Sequence, residues 1–160
     1  MSAAGPVTLR PATPADREFL LRVYAESRAD ELAATDWDEE QKQAFCRSQF
    51  EAQDAYYRRH YPGCEFLVIE RDGTPVGRLY RDRREDEIRV VDIALLGAAR
   101  GRGIGGRLMQ DILDEAAAAG IMVRIHVERT NPARRLYDRL GFRLAEEGEV
   151  YDLLAWKISL

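Results

Sequence analysis

The sequence predicts a mixed α/β domain on one central sheet, and three observations carry that prediction. Glu65 to Glu70 and Val76 to Arg81 flank Arg71-Asp72-Gly73-Thr74, a hairpin signal with glycine in the turn, so two strands run antiparallel. Glu87 to Leu96 is apolar on both alternating faces, as a strand buried on both sides must be. It leads through a helical stretch to a further strand, Met122 to Glu128, for which a right-handed parallel crossover is expected. Antiparallel and parallel pairs in one sheet make it mixed.

Taken in order, Val7 to Arg10 is a short extended segment. Thr13-Pro14-Ala15-Asp16 supplies an N-cap, a proline at the first helical position and an acid in the first turn. The helix that follows turns Phe19, Leu20, Val23 and Tyr24 inward. After a loop around Trp37, Glu39 to Tyr61 reads as a second helix with Phe45, Cys46, Phe50, Tyr56 and Tyr57 at helical spacing, ended by Pro62-Gly63. From Gly103 onward Ile104, Leu108, Met109, Ile112, Leu113 and Ala116 form one apolar face, and Gly120 stops the helix. Asn131 as N-cap, Pro132 at the first helical position, the stripe Ala133, Leu136, Tyr137, Leu140 and a closing Gly141 define a short helix. Phe142 to Glu147 and Val150 to Ile158 pair as the last strands.

With 160 residues and no internal repeat, one domain over 7–160 is expected behind a disordered tail of 1–6. Lys plus Arg number 24 against 28 acids, a net charge of -4, which argues against a module that binds nucleic acid by neutralising phosphates and tolerates a cationic substrate. Nothing approaches the roughly 20 apolar residues of a membrane span, and no basic and apolar leader opens the chain, so a cytoplasmic protein without membrane attachment is expected. Cys46 and Cys64 lie outside any metal-ligand spacing, so neither a metal site nor a disulfide is expected. A monomer or homodimer is the expected state.

One motif carries obvious chemistry: Arg100-Gly101-Arg102-Gly103-Ile104-Gly105-Gly106, between the buried strand and a helix. Glycines there let backbone amides approach an anion, and the helix start adds about half a positive charge. A phosphate or pyrophosphate is the natural ligand. Gly101, Gly103 and Gly106 also fit the dinucleotide fingerprint, with Glu128 ending the next strand where a ribose-binding acid would stand. Against a dinucleotide oxidoreductase, the motif opens past the middle of the chain and too little sequence follows. A glycine-rich turn without a ligand is the bland alternative.

The run Arg100 to Gly105 resembles the pyrophosphate loop of the GNAT superfamily of acyl-CoA-dependent N-acyltransferases, which reads Gln or Arg, two residues, Gly, one residue, then Gly or Ala. Asn131-Pro132-Ala133-Arg134-Arg135-Leu136-Tyr137-Asp138-Arg139-Leu140-Gly141-Phe142 resembles the family's second signature. The resemblance is firm from about Glu87 to Phe142 and implies a GNAT-type central mixed sheet with helices on both faces. It implies acetyl-CoA as cosubstrate and transfer of its acetyl group to a primary amine of a small molecule or peptide by direct attack, with no covalent enzyme intermediate. It further implies that the amides of Arg102 to Gly106 hold the coenzyme A pyrophosphate, with Asn131 also at the cofactor. The strand before the loop would bulge near Ile93, Ala94 and Leu95, splay from Met122–Glu128 and offer backbone groups to the pantetheine arm. A non-catalytic acyl-CoA-binding module is the runner-up.

The chemistry fits those residues. Acyl transfer to an amine needs a polarised thioester carbonyl, an amine freed of its proton and a protonated leaving thiolate. Tyr137 matches the family's tyrosine that donates to the departing sulfur; without the motif it is a core aromatic. Asn131 is sufficiently explained by its capping role. Where several family members carry a glutamate on the strand into the loop, this chain has Arg89, so the base lies elsewhere. A carboxylate position on the next strand corresponds to His126, whose ordinary pKa suits the task. Asp92, a charge in a buried strand, needs a partner, and contact with His126 would satisfy both; equally, Asp92 could bond local backbone. Glu87 and Glu128 are fallbacks, as is water.

Acceptor specificity falls to the segments least like the family. The helix from Glu39 places Gln49 and Gln53 among Phe45, Phe50, Tyr56 and Tyr57, which either invites a hydrogen-bonding ligand or sets the glutamines at a solvated margin beside core aromatics. Arg78 and Tyr80 could face the same pocket. The basic run Arg81, Arg83, Arg84 is broken by acids and reads as surface.

Overall fold

Strand β1 (Val7–Pro11) runs into a 3-10 turn, Pro14–Asp16, that hands the chain to α1 (Arg17–Ser27). The computed structural model describes residues 5–158, so most of the expected 1–6 tail lies outside the described residues; Pro6, its last member, accepts a hydrogen bond from the Asp72 amide at 3.1 Å. The turn is fixed by Asp16, whose carboxylate accepts from the Thr13 amide at 2.7 Å and from both terminal nitrogens of Arg10 at 2.8 Å.

The loop expected around Trp37 contains a short helix, α2 (Ala29–Ala33), which buries Leu32; its one apolar anchor is too little periodicity to read from sequence. In α3 (Glu39–His60) Asp38 caps the start by accepting from the Gln41 amide at 2.8 Å. Only part of the aromatic stripe in α3 points inward: Phe50 is buried and Tyr57 half-buried, whereas Phe45 and Tyr56 are 38% and 52% exposed. Phe45 instead packs on Trp37, ring centroids 5.1 Å apart.

Strands β2 (Cys64–Arg71), β3 (Thr74–Arg83) and β4 (Glu87–Leu95) follow, then α4 (Ile104–Ala119), β5 (Met122–Glu128), α5 (Arg134–Leu140), β6 (Arg143–Glu146) and β7 (Tyr151–Trp156). The seven strands form one sheet in the order β1-β2-β3-β4-β5-β7-β6. All neighbours are antiparallel except β4 and β5. Helices cover both faces. On one, α4 and α5 pack Met109, Ile112, Leu113 and Tyr137 against Ile69, Leu79, Ile88, Val90, Val123 and Ile125. On the other, Val68 joins Leu20, Tyr24, Leu32 and Phe50 from the first three helices. The mixed sheet expected from sequence is therefore present. Among the described residues no helix is long and apolar enough to cross a membrane.

The parallel pair is the feature that shapes the site. β4 and β5 are in register only from Glu87–Val90 against Met122–Ile125, and beyond Val90 they part. At that point β4 bulges: Arg81 pairs with Val90 and Tyr80 with Asp92, leaving Val91 without a partner on β3. The bulge thus sits at Val91 rather than near Ile93 to Leu95. It belongs where β4 must leave β5 while keeping β3, and after it Ile93 and Leu95 return to the α4 face beside Val90.

Candidate active site

The glycine loop leaves β4 through a 3-10 turn, Gly97–Ala99, and enters α4 by way of two left-handed residues, Gly101 (φ 73°) and Gly103 (φ 80°). L side chains rarely adopt that region, which is why glycine stands there. The first hydrogen bond of α4 runs from the Arg107 amide to the Gly103 carbonyl at 3.0 Å, so the amides of Ile104, Gly105 and Gly106 precede the helix's own ladder. A Cβ on Gly101, Gly103 or Gly105 would meet no atom within 4 Å, so the loop faces open space. The neighbouring arginines hold the loop down: Arg100 Nε donates to the Leu95 carbonyl at 3.0 Å and Arg102 Nε to the Ala98 carbonyl at 3.3 Å. Glu26 of α1 accepts from the Gly97 amide at 2.7 Å, a link that the sequence did not suggest.

Beside the loop, Ile93, Ala94 and Leu95 pair with β3 through Leu79, Arg78 and Gly77. Their other edge has no strand, because β5 has turned away. Gly77 is required by the closeness of the two strands: a Cβ there would collide with the Ala94 carbonyl and with Leu95. The arrangement offers a cluster of unsatisfied amides at a helix start and, next to it, the bare edge of a strand. Together these can seat an anion and an extended polar chain.

Tyr137 lies on α5, 4% exposed, its ring set edge-on to Phe142 at 5.7 Å. Burial, and then the negative charge of Asp92, push its hydroxyl up to about 12, so it stays protonated through the neutral range. Asn131 Oδ1 accepts from the Ala133 amide at 2.9 Å and its carbonyl from the Arg134 amide at 3.0 Å. It therefore caps a turn, and α5 itself begins at Arg134, later than Pro132 had suggested.

Asp92 and His126 are not in contact. Asp92 Oδ2 accepts from Arg78 Nη2 at 2.7 Å and from the Tyr57 hydroxyl at 3.1 Å. His126 is exposed on β5, opposite Leu153, one residue beyond the last pair that joins β4 to β5. Its pKa is lowered by the packing around it and then by the Arg89 charge, which Glu146 and Glu87 oppose. The reason lies in the bulge and in Arg78. After Val91 the chain directs Asp92 toward α3, where a guanidinium 2% exposed needs a counter-charge. The fallback acids are engaged elsewhere: Glu87 with Arg89 at 3.0 Å, and Glu128 with Tyr151 at 3.3 Å and Arg28 at 3.5 Å.

Gln53 accepts from Arg78 Nη2 at 2.9 Å, whereas Gln49 is exposed, so Gln49 and Gln53 divide between the two readings. The Arg78–Asp92 pair went unseen because it joins two strands across a register that only the bulge defines. Its one signal was a charged residue at an inward strand position beside Tyr80.

A model of the acetyltransferase (GNAT) family matches residues 29–142, well over half of the chain. Among solved structures, a PaiA N-acetyltransferase from Thermoplasma acidophilum in complex with coenzyme A superposes with a TM-score of 0.72 at 19% identity, over 96% of this chain and 99% of that one. An acetyltransferase from Thermus thermophilus gives 0.67 at 18% identity over 95% and 97%. The N-acetyltransferase PseH of Campylobacter jejuni, in complex with acetyl coenzyme A, gives 0.59 at 14% over 96% and 100%. These likenesses concern the fold. A sheet with a single parallel pair also leaves the dinucleotide reading without the parallel strands it requires. With the matched family model, the loop and the parted strands place the chain in the acetyltransferase (GNAT) family of acyl-CoA-dependent acetyltransferases.

Proposed function

We propose that this protein transfers the acetyl group of acetyl-CoA to the primary amine of a small molecule or peptide, by direct attack and without a covalent enzyme intermediate. The observation that carries the reading is the open glycine loop at the start of α4, continuous with the bare edge of β4 and flanked by Tyr137 and Asp92. Acetyl-CoA, when bound, supplies the acetyl group as a thioester that the amine nitrogen attacks. The amides from Arg102 to Gly106 fit a pyrophosphate, with Arg100 and Gly101 setting the loop and Asn131 bordering the cofactor side. The backbone of Ile93, Ala94 and Leu95 receives the pantetheine arm. Tyr137 gives its hydroxyl proton to the departing sulfur.

Asp92, not His126, takes the amine proton in this proposal, directly or through one water. Both of its described partners bond Oδ2, which leaves Oδ1 for the acceptor. As the new C–N bond forms, the nitrogen becomes far more acidic, so a carboxylate is a competent acceptor of its proton.

The test is a screen of acceptors with detection of free thiol: spermidine, glutamate, kanamycin and a short peptide with a free N-terminus. Thiol release with at least one amine, together with a melting temperature raised by acetyl-CoA, supports the reading. Stabilisation by acetyl-CoA at a hundredfold excess over Kd, about 2.7 kcal/mol, with no turnover of any amine would instead identify an acyl-CoA-binding module.

A further inference from the structure

The sequence offered Gln53 and Arg78 as candidates for acceptor recognition, and the acetyl-transfer reading above does not employ them. In the structure they form one chain with the proposed proton acceptor. Gln53 on α3 accepts from Arg78 Nη2, the same nitrogen donates to Asp92 Oδ2, and Tyr57, one turn further along α3, donates to that oxygen as well. Arg78 is 2% exposed, its guanidinium lies 5.0 Å from the Tyr80 ring centroid, and its Nε and the Tyr80 hydroxyl are buried with no hydrogen-bond partner among the described residues. A buried cation on the central sheet is costly unless it is paired and hydrogen-bonded, and Asp92 is the partner of Arg78.

We propose that Arg78 is a positioning residue for acetyl transfer, holding Asp92 by Oδ2 toward α3 so that Oδ1 is presented to the acceptor amine. This rests on the acetyl-transfer reading and deepens it. One terminal nitrogen reaches both Gln53 and Asp92 while the guanidinium carbon stays 5.0 Å from the Tyr80 ring centroid. Gln53 and Tyr57 make α3 the element that sets the carboxylate, directly from Tyr57 and through Arg78 from Gln53.

The groups that act on Asp92 are few. Arg78 and Tyr80 face it from β3, Tyr57 from α3, Tyr137 from α5, and Cys64 from β2 feels its charge. Of these, Arg78 is the one cation, and it meets the carboxylate at 2.7 Å.

The experiment compares wild type, Arg78→Met and Arg78→Lys, with the amine turned over fastest in the acceptor screen. Acetyl-CoA affinity by calorimetry, thermal melts, and kcat and KM for the amine are measured for each, and both substitutions are repeated in an Asp92→Asn background. Arg78→Met is expected to bind acetyl-CoA as wild type does and to lose about tenfold or more in kcat with KM little changed. Arg78→Lys, which keeps a nitrogen to donate to Asp92, is expected to recover part of that loss. In the Asp92→Asn background neither substitution should lower kcat much further, because groups that act as one unit do not contribute independently. A folded Arg78→Met that keeps kcat within about threefold of wild type, or whose loss adds in full to that of Asp92→Asn, overturns the proposal. If Arg78→Met does not fold, the lysine pair decides, and full additivity in it overturns the proposal. Failure of wild type to bind acetyl-CoA or to acetylate any amine is a separate result, and it removes the acetyl-transfer reading itself.

Discussion

Replacing Gly103 by valine separates the loop's service to the fold from its service to a ligand. The residue has φ 80°, and a Cβ added to it meets no atom within 4 Å. For the fold, then, the cost is backbone strain alone. The left-handed region costs an L-residue about 1–2 kcal/mol, with a β-branched side chain at the upper end. At roughly 2–4 °C per kcal/mol for a domain of this size, the unliganded melting temperature should fall by about 2–8 °C. For binding, the valine methyls occupy the space over the amides of Ile104 to Gly106. Losing two charge-assisted hydrogen bonds, about 1.5–3 kcal/mol each, weakens coenzyme A by more than roughly 10²-fold. Calorimetry with coenzyme A and a parallel thermal melt measure the two effects. Gly103→Asn, which tolerates the left-handed region, should recover most of the melting temperature but not the affinity. A valine variant that binds coenzyme A within threefold of wild type would refute the assignment of the loop.

Tyr137→Phe should keep coenzyme A affinity and lose about 10²-fold in kcat. Because burial holds the hydroxyl up at about 12, wild-type kcat should show no fall from this group below about pH 11, and an earlier fall that Tyr137→Phe abolishes would contradict the assignment. His126→Ala should leave both kcat and its pH profile near wild type, whereas Asp92→Asn should cost about 10²- to 10⁴-fold; the reverse pattern would return the base to β5. Asp92→Asn should also melt earlier, since it leaves the buried Arg78 uncompensated. Asp16 is held below the usual carboxylate range by Arg10 and the Thr13 amide, so its contribution is complete above about pH 4 and is lost as the pH falls through its folded value. Asp16→Asn should lower the melting temperature at pH 7, and the gap to wild type should narrow in acid. Gly77→Ala should push β3 from Ala94 and Leu95, lowering both stability and coenzyme A affinity in one melt and one titration.

Legibility of the fold followed local signals. The α4 face from Ile104 to Ala116 and the glycine pair in the loop are short-range patterns, and the structure places them as expected. The bulge was also written in the chain, because the residues of β4 that face α4 run Ile88, Val90, Ile93, Leu95, a step of three among steps of two. It was obscured because Val91 is apolar too, so the strand looked apolar throughout. The partner of Asp92 was of another kind. Which residue meets it depends on where β4 slips against β3 and on how α3 lies over both, neither of which any window of sequence contains. Hence the histidine, a plausible base by chemistry, proved to be separated from the acid by the parting of the strands.

That parting divides the sheet into two antiparallel panels, β1 to β4 and β5-β7-β6, sewn together along four residue pairs. Behind those pairs the panels share the apolar face of α4. Such a seam is the weak line of the molecule under heat or load, and the edges that flank it exchange amide hydrogens more readily than the strands behind them. A molecule lodged in the opening touches both panels and works as a pin across the seam. Occupancy should then slow exchange on the free edges of β4 and β5 together, although no ladder joins them beyond Val90.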